Sequence, residues 1–576
     1  MPKENKPNFN LFVLFLVFGI NILLIQPWGD FPLNDDWQYA HITKQFAETL
    51  QIKIDVPIAP TVILQTLFGG IITSLFGFSH TYLRILTLFF SSILILILYS
   101  IQRIAGVNKI SRFLTALVLI TNPLFIYLSL SYMTEIYGMT LSFFGVWLWF
   151  KARQKEFTTS DSRVQYLLAA FLMGLSFWVR QFSILVYPSL FISVFIVGVF
   201  SEGIKLATQN LLRWTSSTFV FAAPIIVYFV WAITTNNLNE AFSDPLKSLL
   251  VFDIYLWLQE GFILLFYLTG FFAPILVFIW ISQNLKWKTL TETEKIFTHL
   301  LLISLLTTMI YSLWIGKMPY FIINTLQSIF PFLTNIITPY GLGPLTLTEI
   351  YTESLALGPS YSIYFWVLIE CGLFLLAWVW GFIGSRTYQF LQKNTDRVTS
   401  RIQREILTFG IILTLISFIG SIQSYQLKIF DRYYFPCFIG MVLTMSVVVN
   451  FLPLPKNNFA ANIGFAVVWI FISSLTVAAE HDYFVWNEVR QKLVDTAIHK
   501  DISEKEIDGG YEVNGWFKFE GKNKSENNCV DYKTWYCAVQ KKYTIGLTLK
   551  PNQEEIVSEK VNTWLQNFPD MKLIKR

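Results

Sequence analysis

The segment Asn34-Asp35-Asp36-Trp37-Gln38-Tyr39 places two adjacent carboxylates directly behind the first long apolar run of the chain. Neighbouring like charges raise one another's pKa, so either Asp35 or Asp36 suits the work of a general base. The plainer alternative is a helix N-cap with a solvated acidic first turn. Ser131-Tyr132-Met133-Thr134-Glu135 is a very short loop between two apolar runs, and Glu135 is its only charge. By itself Glu135 reads as the interfacial cap of the following helix. Arg180 stands alone between two apolar stretches, where an unpaired guanidinium is costly. It fits as the partner of a carboxylate, or as an anion clamp, because the guanidinium fork matches a phosphate. Arg84 opens the second apolar run, Lys317 begins a long loop, and Asp431-Arg432-Tyr433-Tyr434 precedes a late run. Ordinary snorkelling is the plainer reading of Arg84 and Lys317. Acids that activate a hydroxyl, beside bases that hold a departing phosphate, are together the parts of a transfer reaction on a polar headgroup.

For these residues to meet, the chain must carry them to one face of a membrane. Of its 576 residues, 54% are hydrophobic and only 14% charged, against roughly 25% charged in a soluble domain. Runs of about 20 apolar residues are long enough to cross a hydrocarbon core. The expected fold is an all-α polytopic membrane protein of about thirteen transmembrane helices, with a small C-terminal α/β soluble domain. Spans are expected near 9–27, 81–102, 113–130, 136–151, 164–179, 182–200, 213–233, 258–281, 296–315, 361–383, 405–423, 433–451 and 459–479. The run 164–200 is divided at Arg180, since an unbroken helix would bury that charge in lipid.

Lys and Arg in the short loops set the orientation. With the N-terminus cytoplasmic, Arg103, Lys109, Arg112, Lys151, Arg153, Arg386, Arg401 and Arg404 all fall inside. Asp35, Asp36, Glu135, Arg180 and Arg432 then share the outer face. Residues 58–78 are apolar enough to span, but a crossing there would reverse every later loop, and Pro60 with Gly69-Gly70 weakens a helix. This segment is expected to lie as an interfacial or re-entrant helix. Residues 1–480 form the expected catalytic unit, with long outer loops at 28–80 and 316–360. Residues 481–576 form the extracytoplasmic unit, where an oxidising compartment permits a Cys529–Cys537 disulfide. Cys371 and Cys437 lie in apolar runs as packing residues.

The first span follows a short basic start with no obvious cleavage site, and is expected to be retained. The five histidines are scattered and none has zinc spacing. No glycine-rich phosphate loop appears, so a nucleotide is not implied. No cofactor is expected; a carboxylate pair could hold a divalent metal, but nothing in the sequence requires one. The net charge of +5 resides in loops and implies no nucleic acid. Asn523-Lys524-Ser525 fits a glycosylation acceptor, which matters only in a eukaryotic secretory setting.

In this order and topology the motifs resemble the GT-C glycosyltransferases over roughly residues 10–450. The likeness is to the protein O-mannosyltransferase and aminoarabinose-lipid A transferase branch, that is, glycosyltransferase family 39. Asn34-Asp35-Asp36-Trp37-Gln38-Tyr39-Ala40 resembles the first outer loop of that branch, and Ser131-Tyr132-Met133-Thr134-Glu135 its second acidic loop, F-M-T-D. Leu175-Ser176-Phe177-Trp178-Val179-Arg180-Gln181 resembles its R-Q/R-E turn, and Asp431-Arg432-Tyr433-Tyr434-Phe435-Pro436 its D-R-Y-x-x-P element. The sequence departs at Asp36, where many relatives carry Glu, and at Glu135, where many carry Asp; the carboxylate survives at both.

The resemblance implies an inverting enzyme that takes a sugar from a polyprenyl-phosphate donor on the outer face and passes it to an acceptor hydroxyl or phosphate. Asp35 or Asp36 would be the base, and Glu135 would position acceptor or base. Arg180 and Arg432 would hold the donor phosphate, with Arg84 and Lys317 as further cations and Tyr39 and Tyr433 lining the substrate. Partners would be the lipid-linked donor, membrane lipid, and an acceptor that is a lipid, a polysaccharide or a protein. The compact loops favour a bacterial plasma membrane. Three alternatives stand beside this reading: a flippase for lipid-linked sugars, a glycan ligase or polymerase, and a structural anchor. Charge gathered on one face, with no internal repeat, favours the enzyme over the flippase.

Overall fold

The computed structural model describes residues 9–54, 58, 61–154, 160–213, 215–235, 237, 254–314, 335–338, 341–347, 349, 363–392, 398–424, 430–453, 458–518, 542–565 and 567–576. Helices cover all thirteen segments expected to span. The first half holds α1 (Phe9–Ile25), α2 (Asp36–Thr49), α3 (Ile63–Phe76), α4 (His80–Ile104), α5 (Lys109–Ile120), α6 (Pro123–Ser129), α7 (Thr134–Arg153), α8 (Ser160–Leu175), α9 (Val186–Glu202), α10 (Ile204–Arg213) and α11 (Thr215–Thr234). The second half holds α12 (Ile254–Ser282), α13 (Glu292–Trp314), α14 (Ile363–Gln392), α15 (Val398–Ser424), α16 (Phe435–Phe451), α17 (Phe459–His499) and α18 (Tyr511–Lys518).

Among the described residues, seven of these segments are long and apolar enough to cross a membrane. The pair α5–α6, bent by 63°, makes an eighth if it is one span. That is fewer than the thirteen expected; α1 and α8 are short, at 17 and 16 residues. α3 has only 14, about 21 Å at 1.5 Å per residue, too short for a hydrocarbon core of about 30 Å. Its length suits the interfacial placement expected for 58–78.

Three local features position the site. First, the chain breaks at Arg180 as expected. α8 stops at Leu175, two short 3₁₀ turns flank Arg180, and Arg180 itself is extended. The break carries the guanidinium out of the helical register and to Glu135 and Thr134 at the start of α7. Second, α15 and α16 approach closely through Gly410 and Gly440. A methyl group built on either glycine would overlap the other's carbonyl oxygen, so only glycine permits this spacing. The pair fixes the height of Asp431–Tyr434, the 3₁₀ turn that opens α16.

Third, α17 runs unbroken for 41 residues, about 60 Å, or twice the hydrocarbon thickness. No Pro interrupts it, its one glycine (Gly464) lies in the second turn, and beyond the apolar half its buried face continues through Trp486, Leu493, Val494 and Ala497. The domain boundary expected at 480 therefore falls inside a continuous helix. The C-terminal residues pack against its far end. There β1 (Ile507–Asp508), β2 (Tyr543–Gly546), β3 (Glu554–Glu559) and β4 (Met571–Lys575) form a mixed sheet in the order β1-β2-β4-β3. Here β1 pairs parallel to β2, while the other pairs are antiparallel. Trp486, Leu493, Ile507, Val513, Ile545, Met571 and Leu573 close a second apolar core there. Lys317, the Cys529–Cys537 pair, Asn523 and most of the loop 316–360 lie outside the described residues.

Candidate active site

The two adjacent aspartates at the start of α2 face different surroundings. Asp36 is 1% exposed. Its Oδ1 accepts from the Leu33 amide at 2.6 Å and its Oδ2 from the Tyr132 amide at 3.2 Å. It staples the entrance of α2 to the loop between α6 and α7. Burial pushes its carboxyl up to about 7, partly offset by the Arg84 guanidinium and by those two amides. Asp35 is 23% exposed on its side chain and turns the other way. Its Oδ2 accepts from Arg432 Nη2 at 2.5 Å and its Oδ1 from the Tyr511 hydroxyl at 2.8 Å. The structure thus separates the two acids that the sequence left equivalent.

Around Asp35 the remaining expected residues converge. Glu135, near the N-terminus of α7, is buried; its Oε1 lies 3.1 Å from Arg180 Nη1 and 3.9 Å from Arg432 Nε. Arg180 Nη1 also donates to Thr134 Oγ1 at 2.6 Å. Both guanidinium groups lie over the Tyr433 ring, Arg180 at 5.6 Å and Arg432 at 5.5 Å from its centroid. The ring quadrupole favours cations there and keeps the two like charges in register. Glu135, Met139, Arg180, Phe182, Arg432, Tyr433, Phe435 and Pro436 line a pocket. Tyr39 is buried one turn along α2 from Asp35. Burial, and then the Asp35 carboxylate, hold its phenol well above the ordinary range, so it stays protonated.

Arg84 is not in this group. It turns inward beneath the first outer loop, where Nη1 donates to Gly29 O at 2.6 Å and Nη2 to Phe31 O. Its guanidinium covers the Phe31 ring at 4.6 Å and the Phe484 ring at 5.3 Å. It neither snorkels nor reaches the pocket; it shapes the loop that delivers Asp35. Asp431 does the same for the second outer loop. Its carboxylate is fully buried, accepting from the amides of Ile336 at 3.1 Å and Ile337 at 2.5 Å, so residues 335–338 are tied beside Arg432.

Sequence reasoning missed the contribution of α18. Besides the bond to Asp35, the Tyr511 oxygen accepts from Gln38 Nε2 at 2.6 Å. Burial first, then the Asp35 carboxylate, keep this phenol well above its ordinary range, so it donates rather than ionises. Glu512 accepts from the Asn34 amide at 3.0 Å and from Arg490 Nη1 at 2.7 Å, and bonds Thr346 Oγ1. The stretch Asp508-Gly509-Gly510-Tyr511-Glu512 was visible as a polar, glycine-bearing segment, but nothing local to it points at Asp35. Among the described residues, no group of three or more His, Cys, Asp or Glu side chains could hold a metal ion.

Comparison with known proteins bears on this arrangement. Residues 61–231 match the family model described as dolichyl-phosphate-mannose-protein mannosyltransferase. The match holds Glu135 and Arg180 and leaves Asp35 and Arg432 outside. No curated protein matches the chain in sequence. Among solved structures the chain is loosely similar to ArnT from Cupriavidus metallidurans bound to undecaprenyl phosphate, at 12% identity and a TM-score of 0.42, covering 85% of this chain and 72% of that one. It is similarly related to the archaeal oligosaccharyltransferase AglB from Archaeoglobus fulgidus in complex with an inhibitory peptide and a dolichol-phosphate. There the identity is 14% and the TM-score 0.42, covering 86% of this chain and 59% of that one. Family model and motifs coincide from α3 to α11: residues 61–231, under a third of the chain, are similar to the dolichyl-phosphate-mannose-protein mannosyltransferase family, in the GT-C glycosyltransferase branch that the motifs resemble.

Proposed function

We propose that the protein is an inverting glycosyltransferase of the plasma membrane, working on its outer face with a polyprenyl-phosphate sugar as donor. The observation that carries this reading is the Asp35–Arg432 pair beside Arg180 and Glu135. It sets a partly exposed carboxylate against two guanidinium groups at the edge of one pocket. Asp35 is the base. Its environment is the more open of the two aspartates, whereas Asp36 spends both oxygens on backbone amides. The acceptor oxygen gives its proton to Asp35 and bonds the anomeric carbon. The bond from that carbon to the phosphate oxygen breaks, and the polyprenyl phosphate departs with the electron pair. Arg180 and Arg432 receive its charge, exchanging a carboxylate partner for phosphate oxygens. Glu135 holds the two guanidinium groups apart and oriented before the donor arrives. No step calls on a nucleotide or a metal.

The acceptor is a hydroxyl or phosphate of a lipid, a polysaccharide or a protein. The N-terminus is cytoplasmic and the C-terminal sheet extracytoplasmic, in keeping with the basic inner loops.

The test is sugar transfer by the purified protein in detergent, offered a panel of polyprenyl-phosphate sugars with crude acceptor extract. Wild type is run beside Asp35→Asn and Glu135→Gln. Release of polyprenyl phosphate, lost in Asp35→Asn while the variant stays folded, supports the enzyme and identifies its donor. Donor bound without sugar release would favour a lipid-linked sugar transporter. Full activity of Asp35→Asn would remove the assigned base.

A further inference from the structure

The C-terminal segment reaches the base itself. Tyr511 lies 476 residues from Asp35 in the chain, and its hydroxyl donates to Asp35 Oδ1 at 2.8 Å. Gln38 Nε2 donates to the same phenol oxygen at 2.6 Å, which leaves the phenolic hydrogen to Asp35. Arg432 holds the other oxygen of Asp35. A general base needs the oxygen it deprotonates within about 2.6–3.2 Å. Tyr511 Oη therefore stands where an acceptor oxygen, or a water competing with it, has to stand.

This position is built by the fold. The Tyr511 amide donates to Thr346 O at 3.2 Å. The next residue, Glu512, is locked by Arg490, with both side chains almost wholly buried. Gly515 lies so close to Trp37 that a methyl group there would overlap the indole, which brings α18 down onto α2. Trp516 stacks on Phe78 at 5.1 Å and meets His80 edge-on at 4.7 Å. The backbone of Tyr511 is thus fixed from several sides, so an acceptor oxygen reaches Asp35 Oδ1 only if the Tyr511 side chain turns aside.

Resting on the reading of Asp35 as the base, we infer that Tyr511 is the specificity-determining residue of the acceptor side. Its phenol occupies the acceptor position at Asp35, excludes water from it, and yields it to the acceptor hydroxyl, which then donates to Oδ1 in its place. Tyr511 gives up no proton to the reaction and forms no bond to the sugar. Its role is to make transfer to the acceptor win over hydrolysis of the donor.

The test uses the full chain in detergent with the donor that supports transfer. Release of polyprenyl phosphate is measured without acceptor and with it. Tyr511→Phe removes the hydroxyl and keeps the ring against Trp37. Donor hydrolysis without acceptor is expected to rise about tenfold, the scale of one hydrogen bond to a charged group. The ratio of transfer to hydrolysis falls and the donor KM stays unchanged. Gln38→Met, which frees the phenol without removing it, moves hydrolysis the same way by less. A structural role alone would lower hydrolysis and transfer together. Hydrolysis in Tyr511→Phe at or below the wild-type level overturns the inference, as does sugar found by mass spectrometry on Tyr511. If Asp35→Asn transfers sugar like wild type, or wild type cleaves no donor, the proposed function fails and takes this inference with it. If Asp35→Asn is inactive and Tyr511→Phe hydrolyses no faster, this inference alone fails.

Discussion

Asn34 and Glu512 stand 478 residues apart in the chain, yet the Glu512 carboxylate accepts the Asn34 amide hydrogen at 3.0 Å. The same carboxylate is paired with Arg490 at 2.7 Å, with the two side chains 0% and 1% exposed. The loop that delivers Asp35 is therefore held by the C-terminal end of the protein. Glu512→Ala leaves the Arg490 guanidinium buried with no carboxylate, and removing one partner of a buried pair costs about 3–5 kcal/mol. Thermal unfolding in detergent should show a clear fall in Tm, and limited proteolysis should open the 28–36 loop. An unchanged Tm would mean that this network does not hold the loop.

The two arginines of the pocket should separate in kinetics. Arg432 pairs with Asp35, whereas Arg180 pairs with Glu135 and Thr134. Arg432→Lys keeps a charge but loses the planar fork and its stacking on Tyr433. The expected loss in kcat/KM is on the order of a hundredfold, about 2.7 kcal/mol of transition-state stabilisation. Arg180→Ala should chiefly raise the donor KM, because its loss leaves Glu135 with only the more distant Arg432, at 3.9 Å, to offset its charge against the phosphate. Donor titrations of the two variants distinguish these outcomes.

Asp36 predicts a pH dependence of stability. Its carboxyl is raised from 3.8 to about 7 by burial. The folded state therefore binds more protons than the unfolded state between those values, and stability falls as pH rises through that window. Asp36→Asn cannot titrate. Compared with wild type, it should be relatively less stable near pH 4 and gain on wild type toward pH 7, by up to a few kcal/mol. Parallel unfolding curves for the two proteins across that range would contradict the burial of this charge.

Gly440 offers a packing test. A side chain at this position overlaps the Gly410 carbonyl, so α15 and α16 must move apart. Gly440→Leu is expected to cost about 1–3 kcal/mol by overpacking and to shift Arg432, eight residues earlier, away from Asp35. Activity should fall more than stability does, and Gly440→Ala should show the same pattern in weaker form. Equal activity in Gly440→Leu and wild type would uncouple this helix contact from the site.

Much of the positioning was legible in the chain because it depends on local or one-dimensional physics. Apolar runs mark helices whatever their neighbours, and basic loops mark one face. A guanidinium between apolar stretches must break the helix, and Arg180 does so. From these rules alone Asp35, Glu135, Arg180 and Arg432 share a face, and the structure brings all four within reach of one another. The domain boundary near 480 was less legible, since hydropathy falls where α17 leaves its apolar half while the helix itself continues.

Only the tertiary structure divided the labour between Asp35 and Asp36. Adjacent residues at a helix start point about 100° apart, so one aspartate turns to backbone amides and the other to Arg432. It likewise turned Arg84 from a cation of the donor site into a tie for loop carbonyls, and brought Tyr511 to Asp35. Composition and spacing carry the membrane frame and the residue types of the site. Which oxygen meets which donor depends on side-chain direction and on contacts across hundreds of residues, and no local pattern in the sequence encodes those.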